Sequence, residues 1–246
     1  MPVIFVNTTR RKFLKEYERL YRYTNLERFI EGLSNEEFTF INPAKWADPF
    51  ERFFIDRDFQ IDGKKVKLPA KDKIFSVCLS GTLNSEAHWK VYSPGQDGVR
   101  LTINTEKFLT RFLDNMKDCT IYIGKVSYQT TQSFFKINFN TRKLITEIKN
   151  NKIGDQQIKL MLKKRTSFSY EDEVRILVVP NNTVTNSSIL RVPSDIQDYT
   201  SNYTFDPRMG KQQFNVLKEY FELMYGFKIS HSTLYADKLR KPIVLR

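Results

Sequence analysis

The chain is poor in the residues that most enzyme signatures require. Of 246 residues, two are cysteine, two histidine and nine glycine. Cys78 and Cys119 are too few for a disulfide framework, which makes a reducing cytoplasm the expected location. With the two histidines far apart as well, the spacing argues against zinc, and no metal is expected. The glycines form neither Gly-x-x-x-x-Gly-Lys-Ser/Thr nor Gly-x-Gly-x-x-Gly, so phosphate-cradling loops are not expected. A nucleophile elbow is also missing. Cys78 lies in an apolar run and reads as a packed thiol. His88, beside Trp89, reads as structural or surface, and nothing singles out His231. No stretch of about 18 apolar residues occurs, so neither a transmembrane helix nor a membrane partner is expected. Met1-Pro2-Val3-Ile4-Phe5-Val6 lacks the basic start and long apolar core of a secretory signal.

What is present is a sizeable core and an excess of positive charge. Apolar residues make up 40% and aromatic ones 14%, with 20 Phe and 12 Tyr, which suits a sheet with helices packed on it. Forty basic against 28 acidic residues give a net charge of +12, favouring nucleic acid or another polyanion as partner. The charge is dispersed, with clusters at Arg10-Arg11-Lys12, Lys64-Lys65, Lys163-Lys164-Arg165 and from Lys238 to Lys241. No zinc-finger or helix-turn-helix pattern accompanies it.

Periodicity and caps predict helices over 9–19, 26–33 (capped by Asn25), 84–92, 106–116 and 212–225, the last ending at Gly226. Strands are expected over 20–24, 38–42, 74–80, 99–103, 120–128, 170–179 and 203–205, with a hairpin at Asp62-Gly63. Phe227–Ile229 and Ile243–Leu245 read as edge strands. The Lys/Asn-rich region 134–165 reads as polar helix and as the most mobile part. No repeat, linker or regular β-α-β alternation appears. The fold class that fits is α+β: residues 1–246 as a single domain, its core at about 20–235, with a mixed, largely antiparallel central sheet flanked by helices.

Three clusters carry candidate chemistry. Tyr170-Glu171-Asp172-Glu173-Val174-Arg175 opens a strand whose period of two places Glu171, Glu173 and Arg175 on one face, the carboxylates roughly 6–7 Å apart. This is either an acidic site or a solvated ion-paired face. Tyr21-Arg22-Tyr23-Thr24 offers a guanidinium between aromatic rings, suited to phosphate or to a structural pair with Asp48, Glu51 or Glu173. Asn42-Pro43-x-x-Trp46-x-Asp48-Pro49-Phe50-Glu51 is an aromatic and acidic loop, either over a cleft or anchored to the core.

These segments together resemble a bacterial family, domain of unknown function 2971. The residues are Tyr21-Arg22-Tyr23, Asn42-Pro43, Asp48-Pro49-Phe50-Glu51, Phe75-Ser76, Trp89-x-x-Tyr92, Gly98-Val99, Glu171-Asp172-Glu173-Val174-Arg175, Asp206-Pro207-Arg208 and Ser232-Thr233-Leu234. The order runs from about Leu20 to Tyr235; Ala47 stands where the pattern usually has Asn, and no Met precedes Trp89. A more distant likeness is to ADP-ribosyltransferases of the Arg-Ser-Glu type. Arg22, Ser76 or Ser80, and Glu171-Asp172-Glu173 fall in that order, with Lys164–Ser169 as the preceding turn-loop.

That likeness implies a split sheet and NAD as co-substrate. It implies Glu173 and Glu171 as the catalytic pair, with Arg22, Tyr23, Ser76, Ser80 and Asn42 around the dinucleotide. Arg175 fixes Glu173, and Asp48, Glu51, Trp89 and Tyr92 support. The family resemblance implies a toxin or phage-defence (abortive infection) setting. Two alternatives stay open: a metal-dependent nuclease using Asp48, Glu51, Glu171 and Glu173, and a non-catalytic module binding nucleic acid or nucleotide.

Overall fold

Alternating apolar residues along successive short segments build the molecule around a sheet. The computed structural model describes residues 3–83, 85–134, 140–182 and 187–235. Within these the strands are β1 (Val3–Phe5), β2 (Arg19–Thr24), β3 (Glu37–Ile41), β4 (Phe59–Ile61), β5 (Lys64–Val66), β6 (Phe75–Ser80) and β7 (Val99–Asn104). The later ones are β8 (Cys119–Lys125), β9 (Ser127–Gln129), β10 (Lys163–Arg165), β11 (Glu173–Pro180), β12 (Ile189–Pro193), β13 (Thr200–Phe205) and β14 (Ile229–His231). Ten strands form the main sheet, in the order β1-β8-β11-β6-β2-β7-β13-β14, with β3 joined to β6 and β12 to β3. Only the β1–β8 and β13–β14 pairs in it are parallel. The chain is thus an α+β domain with a mixed, largely antiparallel sheet.

The sheet forks at β6. Strand β2 pairs with it only at Tyr21↔Ser80, and β3 only at Ile41↔Ser76. One branch continues through β7, β13 and β14, and the other through β12.

Strand parity assigns two cores to the two faces. Val174, Ile176 and Val178 of β11 join Phe75, Val77 and Leu79 of β6 and Leu20 of β2 in the larger cluster. Leu177, one residue out of phase, joins Tyr122, Phe54, Phe134 and Met161 in the other. Both clusters are rich in phenylalanine, the use that the composition suggested.

Most expected helices form where their caps stand, but the one expected over 106–116 is α over Thr105–Lys107, π over Phe108–Phe112 and 3₁₀ over Leu113–Asn115, and the one expected over 9–19 ends at Glu16. The Thr9 and Asn25 side chains accept from Lys12 N and Arg28 N, starting Arg10–Glu16 and Leu26–Ser34. Ser85 starts Glu86–Tyr92, and left-handed Gly226 ends Lys211–Tyr225. The strand expected over 120–128 is two, β8 and β9, and the edge strand expected at 227–229 runs over Ile229–His231. The expected strand at Ile243–Leu245, like the cluster from Lys238 to Lys241, lies outside the described residues.

Three expectations need correction. The region read as polar helix is helical, with Thr141–Lys149 and Asp155–Met161 followed by β10, but it is not polar throughout; residues 135–139 of it lie outside the described residues. Gln156 to Met161 are buried there apart from Lys159, because they cover the second core. Within Lys163-Lys164-Arg165 the first two residues are buried and Arg165 pairs with Asp48, so the cluster is not a solvated basic patch. Residues 170–172 are not strand: Thr166–Glu171 is a 3₁₀ turn and Asp172 is left-handed, with φ 40°.

That left-handed residue is held tightly. Gly81 N donates to the Asp172 carbonyl at 2.8 Å. A Cβ on Gly81 would stand 2.2 Å from Asp172 Oδ2 and 2.7 Å from a ring carbon of Tyr17. Gly81→Ala is therefore expected to destabilise by about 1–3 kcal/mol in urea unfolding; wild-type stability would contradict this packing.

Candidate functional site

The turn at Asp172 changes how the two glutamates meet. Glu171 ends the 3₁₀ turn, Glu173 begins β11, and the reversal between them aims both carboxylates at Lys164 Nζ, at 2.7 and 3.0 Å. Lys164 reaches this point because β10 runs parallel to β9, with Lys164 opposite Tyr128. The Tyr128 hydroxyl in turn accepts from Glu173 N at 2.8 Å.

The loop after Asn42 closes the network. Asn42 accepts from Ala44 N, starting the turn Pro43–Lys45, and donates to the Lys71 carbonyl. The chain then carries Trp46 and Glu51 onto Arg175. Arg175, fully buried, donates through Nε to Glu173 Oε1 (2.7 Å), through Nη2 to Glu51, and through Nη1 to the Met161 carbonyl (2.6 Å). Its guanidinium stacks 4.1 Å above the Trp46 ring. Glu51 also pairs with Lys164, at 3.2 Å. Three carboxylates thus share two buried cations.

The two acidic partners are unequal. Both oxygens of Glu173 accept from cations, whereas Glu171 accepts through Oε2 only. Its Oε1 has no partner among the described residues. Burial pushes the Glu173 carboxyl upward, but Arg175 and Lys164 outweigh it and hold the group at about 2. Burial also pushes Glu171 upward, and there Lys164 does not compensate, so its charged form is disfavoured.

Glu171 and Glu173 floor a small recess walled by Tyr21, Tyr23, Cys78, Leu79, Ser80, His88 and Tyr92, with a volume of about 20 Å³. Tyr23 stacks on His88 with ring centres 4.7 Å apart and meets Trp89 edge-on at 5.0 Å. Its hydroxyl donates to the Leu83 carbonyl. Ser80 Oγ donates to the Glu171 carbonyl at 2.6 Å, tying β6 to the acidic turn. Cys78, expected as a packed thiol, is only partly buried and lines the recess; desolvation, with Glu173 nearby, raises its thiol well above its ordinary range.

Tyr23 and Tyr92 also line a second, larger groove of about 510 Å³ between the branches of the fork. Arg22, Thr24, Asn25 and Arg28 form one side, and Thr39, Ile41 and Ile189 the other. Arg22 points to the opposite sheet face from Tyr21, Ser80 and Glu173, as parity demands. Its guanidinium lies 4.3 Å above the Phe38 ring. None of its candidate partners, Asp48, Glu51 or Glu173, pairs with it, and it has no acidic partner among the described residues.

The structure therefore brings together Glu171, Glu173, Arg175, Glu51, Ser80, Tyr23 and Tyr92. Arg22 meets the same cleft only through the groove. Ser76, Asn42 and Trp89 are buried in supporting positions, and Asp48 holds Arg165 and caps Phe50 N. Two residues of the site escaped the sequence reading. Lys164 looked like one of a run of charges. His88 looked structural, yet it is buried on the wall of the recess, with Nδ1 lacking a partner. No local signal sets Lys164 apart within Lys163-Lys164-Arg165, and the Ser85 cap next to Trp89 is the one available for His88.

Acid should unfold the protein in two stages. Burial, helped by Lys164, lowers His88 from 6.5 to about 4, so the stability of keeping it neutral is present above pH 6.5 and is lost as pH falls toward 4. Glu173 contributes stability above pH 4.5 that is lost as pH falls toward 2. Glu171, raised, works in the opposite sense and softens the lower limb. Thermal melts from pH 8 to 3 should decline from about pH 6.5 and steepen below about 4.5. His88→Gln should abolish the upper limb; an unchanged upper limb contradicts the burial of neutral His88.

Among the described residues no helix is long and apolar enough to cross a membrane, and no group of three or more His, Cys, Asp and Glu is arranged to hold a metal ion. Residues 88–176 match the model of a family described as protein of unknown function (DUF2971), in agreement with the resemblance drawn from the motifs. The matched segment runs from His88 to Ile176, taking in Lys164, Glu171, Glu173 and Arg175. No curated protein matches the chain.

Proposed function

Starting from a segment shared with a family of unknown function, we propose that the protein consumes NAD by ADP-ribosyltransferase-like chemistry at the fork of the sheet. The observation that carries this reading is the meeting, at Tyr23 and Tyr92, of a groove bearing Arg22 and a recess floored by carboxylates. About 510 Å³ suits a small-molecule ligand. Arg22, uncommitted to any carboxylate and supported by Phe38, offers the fork that pyrophosphate needs, and Arg28 adds a second cation. The tyrosines give flat faces to the nicotinamide end. As the glycosidic bond breaks, positive charge develops on the ribose, and a carboxylate at the recess stabilises it.

The roles of the two glutamates are reassigned from the sequence expectation. Glu173 is saturated by Arg175 and Lys164, so it positions Lys164, which orients Glu171. Glu171, with one free oxygen on the recess, is the group that meets the sugar. Such an activity fits a cytoplasmic toxin or phage-defence effector.

The saturation of Glu173 favours a second reading, a module that binds a nucleotide or nucleic acid without turning it over. The nuclease alternative has less support, because Glu51, Glu171 and Glu173 converge on an ammonium group where a metal ion would stand. Calorimetric titration tests the ligand. NAD should bind at least about tenfold more tightly than nicotinamide riboside, which lacks the pyrophosphate, and Arg22→Gln should erase the difference. Absence of NAD binding would contradict the proposal; binding without nicotinamide release would support the module.

A further inference from the structure

We infer that the acceptor in this reaction is water, so that the protein hydrolyses NAD instead of modifying a macromolecule; the inference rests on the reading just given. The recess lined by Tyr23 and Tyr92 has a volume of about 20 Å³. One water molecule needs at least roughly 10–15 Å³ measured in this way, so the recess has room for about one, and that space is small for an arginine or nucleotide acceptor. It is lined by Cys78, Leu79 and Ser80 of β6 and floored by Glu171 and Glu173, which Lys164 holds.

A water in so small a space requires two or more polar partners. The recess supplies the Glu171 carboxylate, which is held by Lys164 through Oε2 only, and the His88 ring, which lines the same space. The imidazole is neutral at pH 7, because burial holds it at about 4, so it can take part in a hydrogen bond without adding charge. Tyr23 and Tyr92 line both the long groove and the recess. A dinucleotide in the groove therefore presents its ribose at Tyr23 and Tyr92, with the water between the sugar and Glu171.

The step balances without any further reactant. The bond from C1′ to the nicotinamide nitrogen breaks, and its electron pair stays on that nitrogen, neutralising the ring's positive charge. The water oxygen forms the new bond to C1′. Its proton passes to Glu171, acting as general base, and then to solvent. NAD and water become ADP-ribose, nicotinamide and a proton.

The test incubates the full chain with adenine-labelled NAD and cell extract in water enriched in heavy oxygen. Each nicotinamide released should be matched by one free ADP-ribose carrying one heavy oxygen, with no label on protein or nucleic acid. Release of nicotinamide with label on a macromolecule overturns the inference and leaves the reading of the cleft standing. Absence of release overturns both. His88→Gln should lower kcat at least about tenfold, a larger change than that in NAD affinity; an unaltered kcat overturns the placement of the water.

Discussion

Replacing Arg175 with methionine is expected to destabilise the protein by about 3–5 kcal/mol, a fall in Tm of roughly 6–20 °C for a chain of this size. The size of the effect comes from what is left behind. Arg175 is fully buried and satisfies both Glu51 and Glu173, donates to the Met161 carbonyl and lies on Trp46. Methionine fills much of the volume but leaves three buried carboxylates to share Lys164. The loss is therefore mainly that of unpaired charge, and a second change should recover part of it. In a double-mutant cycle, Glu173→Gln with Arg175→Met should be less destabilised than the sum of the single variants by at least about 1 kcal/mol. Additivity, or a single-variant loss under about 1 kcal/mol, would show that the network is not a coupled unit.

The second large effect separates the two glutamates. Glu171→Gln should leave the Tm unchanged or slightly raised at pH 7, since the folded state disfavours the charge on Glu171. It should nevertheless lower nicotinamide release by at least about 100-fold, the range for loss of a positioned base or carboxylate. Glu173→Gln should do the reverse in stability, losing about 3 kcal/mol because its ionised form is the favoured one in the fold. Melting curves and turnover measured on the same preparations decide the matter. If Glu173→Gln melts like wild type, or if Glu171→Gln unfolds, the division of roles is wrong.

Much of the fold is legible because its signals are local. Asn25, Ser85 and Gly226 each mark a helix end with a hydrogen bond or a backbone conformation formed within a few residues. Strands β2, β3, β6 and β7 alternate or run apolar as buried strands do. The misses have non-local causes. Strands β1 and β12 have three and five residues, and β12 includes Arg191 and Pro193. They are strands because β8 and β3 hold them, and no local pattern marks them.

The site was legible in composition but not in arrangement. Glu171, Glu173, Arg175 and Glu51 could be singled out from their types and spacing. Lys164 could not, because the reason for its burial lies on other segments, at Glu51 and the Asp172 turn. Asp172 reads as one more polar strand residue, and its left-handed backbone depends on contact with Gly81, Tyr17 and Lys125. Arg22 shows the remaining limit. Parity places it opposite to Tyr21 and Tyr23, but only the register of β2 with β6 says which of these faces Glu173.

The central claim, that the cleft at the fork cleaves NAD with Glu171 at its apex, is tested most directly by chromatographic measurement of nicotinamide released from NAD by the purified protein at pH 7, beside Glu171→Gln at equal concentration. The account predicts multiple turnovers by the wild type and at least a 100-fold lower rate for the variant, with both melting at similar temperatures. Equal release by the two proteins, or none by a folded wild type, would contradict it.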